Sequence, residues 1–537
     1  MGQLQRATMS ASAHRPGRGS RRGRVVGGTW LLLALGLAVA KKRELAPAPP
    51  RLTLVPAPEP VAEPQPVAAA PTRPTAAGLA RVLATTVWRS MIGIYFLGVV
   101  GFVFLAKTAF LPSLFNDPVF GVYGLVVTVY LLSRFVMSVF YRPCRAEGPL
   151  PSVAIVIPAM NEQSAIERTI EAAFALDYPK DLISVFAVDD GSTDETWQRM
   201  AFAARRFPNL HAIRFSHNRG KRAAMAAGIR ATDAEIICFV DSDSSVATDA
   251  LREIVRPFID PRVAAVTGHA DVLNRSKNLL TLLQQVRYYV AFRVLKASES
   301  LFGSVTCASG CFSAYRRNRL IEVLPRWETQ SFLGREATFG DDRALTNMLL
   351  RHHRVVYQST AVCETVVPDT FRGFLVQQTR WKKSWIRESL IACTFFWRKN
   401  PIAALATYVS NIFPLVAPFI IFRAMIWRPV LHGGDPWMYV IGLYAMAVMY
   451  SLYYGWQRKK PYWWAGIAFV FLYATVLIWQ TYWAVATARK TAWGTRTGRL
   501  DDGNGFRIIG TIGQPQEAGI PICNDVERVG HAGLQAA

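Results

Sequence analysis

The chain has 537 residues, 51% hydrophobic and 18% charged, and its 61 basic and 37 acidic side chains leave a formal net charge of +24. That length exceeds one ordinary core, so two or more structural units are expected, part soluble and part membrane. Seven cysteines, an odd number without paired spacing, exclude a disulfide framework and a zinc pattern, and the basic excess reads as Lys/Arg-rich flanks of membrane helices in preference to nucleic-acid binding.

Residues 1–24 carry six arginines and no acid, the composition of a disordered basic arm. Val25–Ala40 is an apolar stretch of 16 residues followed by Lys41, Lys42 and Arg43. It is short for a span, and charge on both flanks gives it no orientation. From Glu44 to Pro74 alanine and proline dominate, which predicts an extended linker. Two spans follow at Ser90–Ala106 and Pro118–Phe140, with Arg134 in the second expected to snorkel to the cytoplasmic interface in preference to being a buried functional charge. Apolar runs return at Ala403–Trp427, Trp437–Gly455 and Trp463–Ala486. Two spans ahead of the central region place it on the side of the arginine arm, the cytoplasmic side, provided Val25–Ala40 does not cross. Three later spans would put outside a tail that holds Arg489, Lys490, Arg496 and Arg499. Ala403–Trp427, interrupted by Asn411, Pro414 and Pro418, is therefore suspected of being re-entrant.

The central region alternates strand and helix patterns. Val153–Pro158 is a continuously apolar run, as expected of a strand buried on both faces, and Ala165–Leu176 has a helical pattern. A second strand, Val185–Val188, ends in Asp189-Asp190-Gly191-Ser192-Thr193-Asp194. Acids at the carboxyl end of a parallel strand lie where open α/β sheets bind ligands, although Ser192 or Thr193 could equally cap a helix. A third strand, Glu235–Val240, ends in Asp241-Ser242-Asp243. Carboxylates one residue apart project to the same side of an extended chain, an arrangement that a divalent cation makes favourable; oxygen ligands with open positions suit Mg2+ or Mn2+ on a diphosphate. A solvated acidic turn is the plainer account of one such pair, but two acidic strand ends in one unit are harder to dismiss. Between them Asn218-Arg219-Gly220-Lys221-Arg222 opens a helix and suits a phosphate or uridine group. Gly340-Asp341-Asp342-Arg343 precedes a helix, where an acid could take a proton from an acceptor hydroxyl or merely cap. Gln377-Gln378-Thr379-Arg380-Trp381 begins a basic-aromatic segment with the pattern of an interfacial helix. There, Arg380 could grip a diphosphate and Trp381 stack on a sugar, or the tryptophans could anchor in lipid.

Taken in order between apolar spans, Asp189-Asp190-Gly191-Ser192, Asp241-Ser242-Asp243, Gly340-Asp341-Asp342 and Gln377-x-x-Arg380-Trp381 resemble the motifs of the processive family 2 glycosyltransferases. Gly340–Asn347 and Gln377–Ser384 look most like hyaluronan synthases, and so does Trp493-Gly494-Thr495-Arg496, which favours an inside tail. Val366-Val367-Pro368-Asp369-Thr370 resembles rhizobial chitin-oligosaccharide synthases. Ala344 stands where such relatives usually carry histidine, and Cys311 where proline is more usual.

The resemblance implies a GT-A α/β domain inserted between transmembrane helices, with amphipathic interfacial helices. The expected division is an arm and linker at 1–82, two spans in 88–141, the catalytic domain at 150–370, interfacial helices at 371–400, further spans in 401–488 and a polar tail at 489–537. It further implies a multi-pass plasma-membrane enzyme, catalytic on the cytoplasmic side, that adds sugars from a UDP-sugar donor to a growing polysaccharide with inversion. UDP-N-acetylglucosamine is the first expectation, with or without UDP-glucuronate; a cellulose-like glucan synthase and a non-catalytic translocation or scaffold protein are the rivals. In the roles implied, Asp189, Asp190 and Lys221 contact the nucleotide. Asp243 holds Mg2+ or Mn2+ with support from Asp241, and Arg380 stabilises the departing UDP. Asp342 is the base, and Gln377, Trp381, Asp341 and Arg343 receive the acceptor.

Overall fold

The computed structural model describes residues 117–489 except 434–435 and 459–460, the strand 508–512, and positions 94, 97, 98 and 101. The arm and linker, most of the Ser90–Ala106 span and Trp493-Gly494-Thr495-Arg496 lie outside the described residues.

The central part is an α/β unit. Its strands are β1 (Val153–Ala159), β2 (Ile183–Asp189), β3 (Leu210–Phe215), β4 (Ile236–Val240), β5 (Ser244–Val246), β6 (Val263–Val272), β7 (Phe312–Arg316), the hairpin β8 (Ser331–Phe332) and β9 (Arg335–Glu336), β10 (Arg354–Thr365) and β11 (Ile508–Ile512). Apart from the hairpin they form one mixed sheet in the order β11-β3-β2-β1-β4-β7-β6-β10-β5. Strands β3, β2, β1 and β4 run parallel, in the register Ala159 beside Asp189 and Val156 beside Phe239. The continuous apolar runs become these strands because both faces are covered. Every residue of β1 and β4 is buried, each aliphatic side chain contributing roughly 1.5–3 kcal/mol. The chain leaves β1 on one side to make β2 and β3, then returns to place β4 on the other. The crevice beyond the carboxyl end of β1 is thus the switch point where such sheets take ligands. Asp189-Asp190 and Asp241-Ser242-Asp243 flank it.

Pro118–Phe140, 23 residues, and Pro401–His432, 32 residues, each with mean hydropathy 1.8, are long and apolar enough to cross a membrane. Tyr462–Leu477 and Gln480–Ala486 make a further candidate only if taken as one span bent by 42°. The helix suspected of being re-entrant therefore runs on through Pro414 and Pro418, with a π-helical turn at Arg423–Trp427, and the break falls after Leu477. Trp437–Arg458 has the length, at 22 residues, but is not among the helices apolar enough to cross; tyrosines interrupt it throughout. Arg134 does not reach an interface. It is 3% exposed, over the Tyr130 ring with Nη2 3.2 Å from the sulfur of Met137. The apolar helices and the sheet are joined by polar contacts: Tyr141 donates to the carbonyl of Tyr357 at 2.8 Å, and Arg458 pairs with Asp271 of β6.

Candidate active site

The turn after β2 is organised by its own two acids. Asp189 has no exposed surface; its Oδ1 accepts the Ser192 amide at 2.9 Å and its Oδ2 lies 3.3 Å from Nε of Arg214. Burial raises its carboxyl above the ordinary value, against the hydrogen bonds from Ser192. Gly191 follows with φ +71°, and a Cβ there would stand 2.5 Å from the backbone of His217, so the turn presses directly on the next loop. Asp190 accepts the amides of Arg219 at 2.7 Å and Gly220 at 2.9 Å, which fixes the entry to the Lys221–Arg230 helix. Asp189, expected to touch uridine, braces the turn through Oδ1, while its Oδ2 is buried without a hydrogen-bond partner beside Arg214. Asp190 acts on the same loop from the crevice side and is almost as deeply buried.

Beyond β4, Asp241 accepts from Nζ of Lys221. Burial alone would lower the Lys221 pKa, but Asp241, then Asp342 and Asp341, hold it above the ordinary value. Burial first, then the charges of Asp241 and Glu162, push the Asp243 carboxyl up to about 6. Thr365 Oγ1, on β10, is 3.5 Å from Asp243 Oδ1. The facing wall is Ser309-Gly310-Cys311: a Cβ on Gly310 would stand 3.4 Å from Lys221 Nζ and 3.6 Å from Asp241 Oδ1. A carboxylate raised by a like-charged neighbour is the donor set that a hard divalent cation relieves, so the residues fit Mg2+ or Mn2+. Among the described residues no three His, Cys, Asp or Glu side chains gather to hold an ion by themselves, so diphosphate oxygens and water would complete the shell.

The Asp341–Leu350 helix brings the next acids. Gly340 is its N-cap at φ +80°, and a Cβ there would fall 1.9 Å from Oγ of Ser384, so only glycine lets the Phe371–Cys393 helix lie this close. Asp341 and Asp342 stand about 100° apart around the helix and part company. Asp342 is partly exposed; its Oδ2 lies 3.5 Å from the Cys307 thiol and its Oδ1 accepts the Arg343 amide at 2.8 Å. Burial, reinforced by Asp342, pushes the Cys307 thiol up to about 12. Asp341 is 7% exposed, and its Oδ1 takes Nε of Arg222 at 2.8 Å and Nη2 at 2.7 Å. Asp341, expected to receive the acceptor, has its carboxylate paired with a buried arginine. Asp341→Asn is expected to destabilise the protein by about 3–5 kcal/mol, as removal of one partner of a buried ion pair does, read as a lowered thermal midpoint. An unchanged midpoint with a raised acceptor KM would return Asp341 to acceptor binding. Arg343 is half-buried on the same turn.

Gln377, Arg380 and Trp381, at helical spacings of three and four, share a face of the Phe371–Cys393 helix. Oε1 of Gln377 is buried without a hydrogen-bond partner, as expected of a group waiting for a ligand. Trp381 packs with Tyr288 at 6.2 Å between ring centroids and under the guanidinium of Arg287 at 5.3 Å. This helix is tied to that of Asp342 through Glu388, which accepts from Asn347 at 3.0 Å and Gln330 at 2.8 Å. Sequence reasoning missed Tyr288, whose hydroxyl is held above its ordinary pKa by burial and by Cys311, and which also senses Asp243 and Asp241. Its neighbour Arg287 and the small residue Gly310 were missed too. The available signal was Arg287-Tyr288-Tyr289, three consecutive polar-tipped residues at the end of a largely apolar helix.

Residues 151–384 match the family described as "Glycosyltransferase like family 2". The chain is 34% identical over 390 residues to the hyaluronan synthase of Streptococcus pyogenes, covering 71% of this chain and 92% of that protein. It is 32% identical over 340 residues to an N-acetylglucosaminyltransferase of Rhizobium meliloti (strain 1021), covering 61% and 79%. A Bradyrhizobium diazoefficiens N-acetylglucosaminyltransferase is 29% identical over 341 residues, covering 61% and 69%. The acids at the switch point, the helix that presents Asp342 and the length of these matches agree: the chain is a glycosyltransferase and belongs to family 2.

Proposed function

We propose that this enzyme is a membrane-embedded, processive polysaccharide synthase that transfers N-acetylglucosamine from its UDP donor to a growing chain, alone or in alternation with glucuronate from UDP-glucuronate. The observation that carries this reading is the convergence of Lys221, Asp241, Asp243 and Asp342 on one crevice, walled by the helix of Gln377, Arg380 and Trp381. The similarity to a hyaluronan synthase and to N-acetylglucosaminyltransferases supports the donor, and two helices able to cross a membrane support the embedding, with the catalytic part cytoplasmic.

In this reading the loop that Asp190 fixes, together with Lys221, receives the nucleotide. Asp243 and Asp241 would hold Mg2+ or Mn2+, which would supply charge neutralisation to the diphosphate. Arg380 adds a second cation on the leaving side. Trp381 stacks on the terminal sugar, and the orphaned Oε1 of Gln377 accepts a hydrogen bond from a sugar hydroxyl. Asp342 takes the proton of the attacking hydroxyl as its oxygen bonds to the anomeric carbon, and the bond from that carbon to the phosphate oxygen breaks with inversion, releasing UDP. Asp341 and Asp189 act at one remove, by holding the helix and the turn.

Radiolabel transfer by the purified protein, followed by sizing and enzymatic digestion of the product, tests the reading. A long product that needs both donors and yields to hyaluronidase establishes the alternating polymer. A product from UDP-N-acetylglucosamine alone that yields to chitinase establishes the chitin type. Turnover of UDP-glucose only would replace the reading with a glucan synthase, and absence of any transfer would replace it with a scaffold.

A further inference from the structure

The chain covers the outer edge of β3 with a strand of its own tail. β11 runs antiparallel to β3, with Ile508 beside Phe215, Gly510 beside Arg214 and Ile512 beside Ala212, the register slipping by one residue between Ile508 and Gly510. Because β2 takes the other side of β3, the edge without β11 would be a row of unpaired amides and carbonyls. The pairing reaches the end of β3 that borders the crevice. There, Arg214 stands 3.3 Å through Nε from the buried carboxylate of Asp189, and its guanidinium lies 5.5 Å from the ring centre of Trp197. Phe215 lies under the guanidinium of Arg219 at 5.8 Å. Directly after Phe215 comes the loop through His217 and Gly220, whose amides Asp190 holds and against whose backbone Gly191 presses. Lys221, the first residue of the helix beyond, reaches Asp241 from this loop.

We infer that β11 is a positioning strand for the donor: its pairing with β3 holds Arg214, Phe215 and the loop that follows in the form that takes the nucleotide, so donor affinity depends on the tail. The inference rests on the assignment of that loop and Lys221 to the nucleotide. An edge strand opens more readily than a central one, because neighbours oppose its motion from one side only. β3 is six residues long, and its last two carry the supports of both the Asp189 turn and the Arg219 loop. Fraying there moves Arg214 away from Asp189 and loosens the amides that Asp190 gathers. Asp243 follows β4, on the far side of β1, and Asp342 sits on the Asp341–Leu350 helix, so neither takes part in the pairing. Loss of the strand therefore acts on donor binding and spares the chemical step. A backbone ladder accepts any strand of matching register, and tethering within one chain gives residues 508–512 the advantage over a competitor.

The test compares the full-length enzyme in nanodiscs with two variants. One stops after Gly505 and so keeps Trp493-Gly494-Thr495-Arg496; the other carries Gly510→Pro and Thr511→Pro in the full chain, which removes ladder donors without shortening it. In both, hydrogen exchange at the amides of residues 210–220 is expected to speed up by about tenfold or more. The KM for UDP-N-acetylglucosamine and the Kd for UDP are expected to rise about tenfold, with kcat held within about twofold. A synthetic peptide of residues 505–514 is expected to return both constants of the shortened enzyme toward those of the full chain, which a general loss of stability would not allow. Unchanged exchange, or unchanged donor KM and UDP Kd, in both variants would overturn the positioning role, and so would a loss confined to kcat. A tail effect seen only at protein concentrations where copies associate would assign the β3 edge to a neighbouring copy and overturn pairing within one chain. Absence of transfer by the full-length enzyme would overturn the synthase reading alone, since UDP binding and exchange still decide the role of the strand.

Discussion

Asp342→Asn lowers sugar transfer by about a thousandfold, the span of positioned general-base catalysis, while UDP still binds with unchanged affinity. The substitution keeps the shape of the first turn of the Asp341–Leu350 helix and the acceptor atom that receives the Arg343 amide, so the fold has no reason to move. What it removes is the oxygen able to take a proton from the acceptor hydroxyl. Asp342 is the acid of this pair free to do so: it is partly exposed, has only a thiol at 3.5 Å on Oδ2, and lies near enough to affect Lys221. Its neighbour Asp341 is spent on Arg222. The two variants therefore separate by observable: Asp342→Asn loses kcat at constant thermal midpoint, and Asp341→Asn loses the midpoint. Near-normal transfer by Asp342→Asn would falsify its assignment as the base.

The second large effect concerns the cation. Asp243 titrates at about 6, above the ordinary 3.8, because burial and the charges of Asp241 and Glu162 disfavour its ionised form. The sign follows directly. Below about pH 4 the carboxyl is protonated in folded and unfolded chains and costs nothing. As pH rises through about 6, the folded protein must ionise it against its neighbours, which is destabilising unless a cation binds. Mn2+ is thus expected to raise the thermal midpoint at pH 7.5 and to lose this effect as pH falls through about 6, with activity falling over the same window. Asp243→Asn is expected to abolish the Mn2+ response and to reduce transfer by about a hundredfold or more, because several kcal/mol of charge stabilisation at the diphosphate is lost. A Mn2+ response that persists in Asp243→Asn would place the cation elsewhere.

Much of the fold could be read from the sequence because its strands are buried on both faces and so appear as unbroken apolar runs. Val153–Pro158 and Glu235–Val240 match β1 and β4 to within a residue. The order of the acidic motifs was equally legible, since parallel topology sends each strand end to the same edge. What could not be read was the direction of individual carboxylates. Asp189 and Asp190 both brace a loop, whereas of Asp341 and Asp342 only Asp341 pairs with a buried arginine, and Arg214 and Arg222, the cations that meet Asp189 and Asp341, arrive from distant segments. Arg287 and Tyr288 were invisible for the same reason, as they reach Trp381 across some ninety residues of chain. The bent helix pair misled for a different one. Pro414 and Pro418 are carried inside a continuous helix, and the break lies after Leu477 in a stretch without proline, where Lys382 takes the freed carbonyl.

UDP release is the most direct measurement, made on the purified protein with UDP-N-acetylglucosamine, with and without UDP-glucuronate, in Mn2+ and in chelator. The account predicts release that requires the cation and disappears in Asp342→Asn. Release of no UDP from either donor in Mn2+, by protein that still binds UDP, would contradict it.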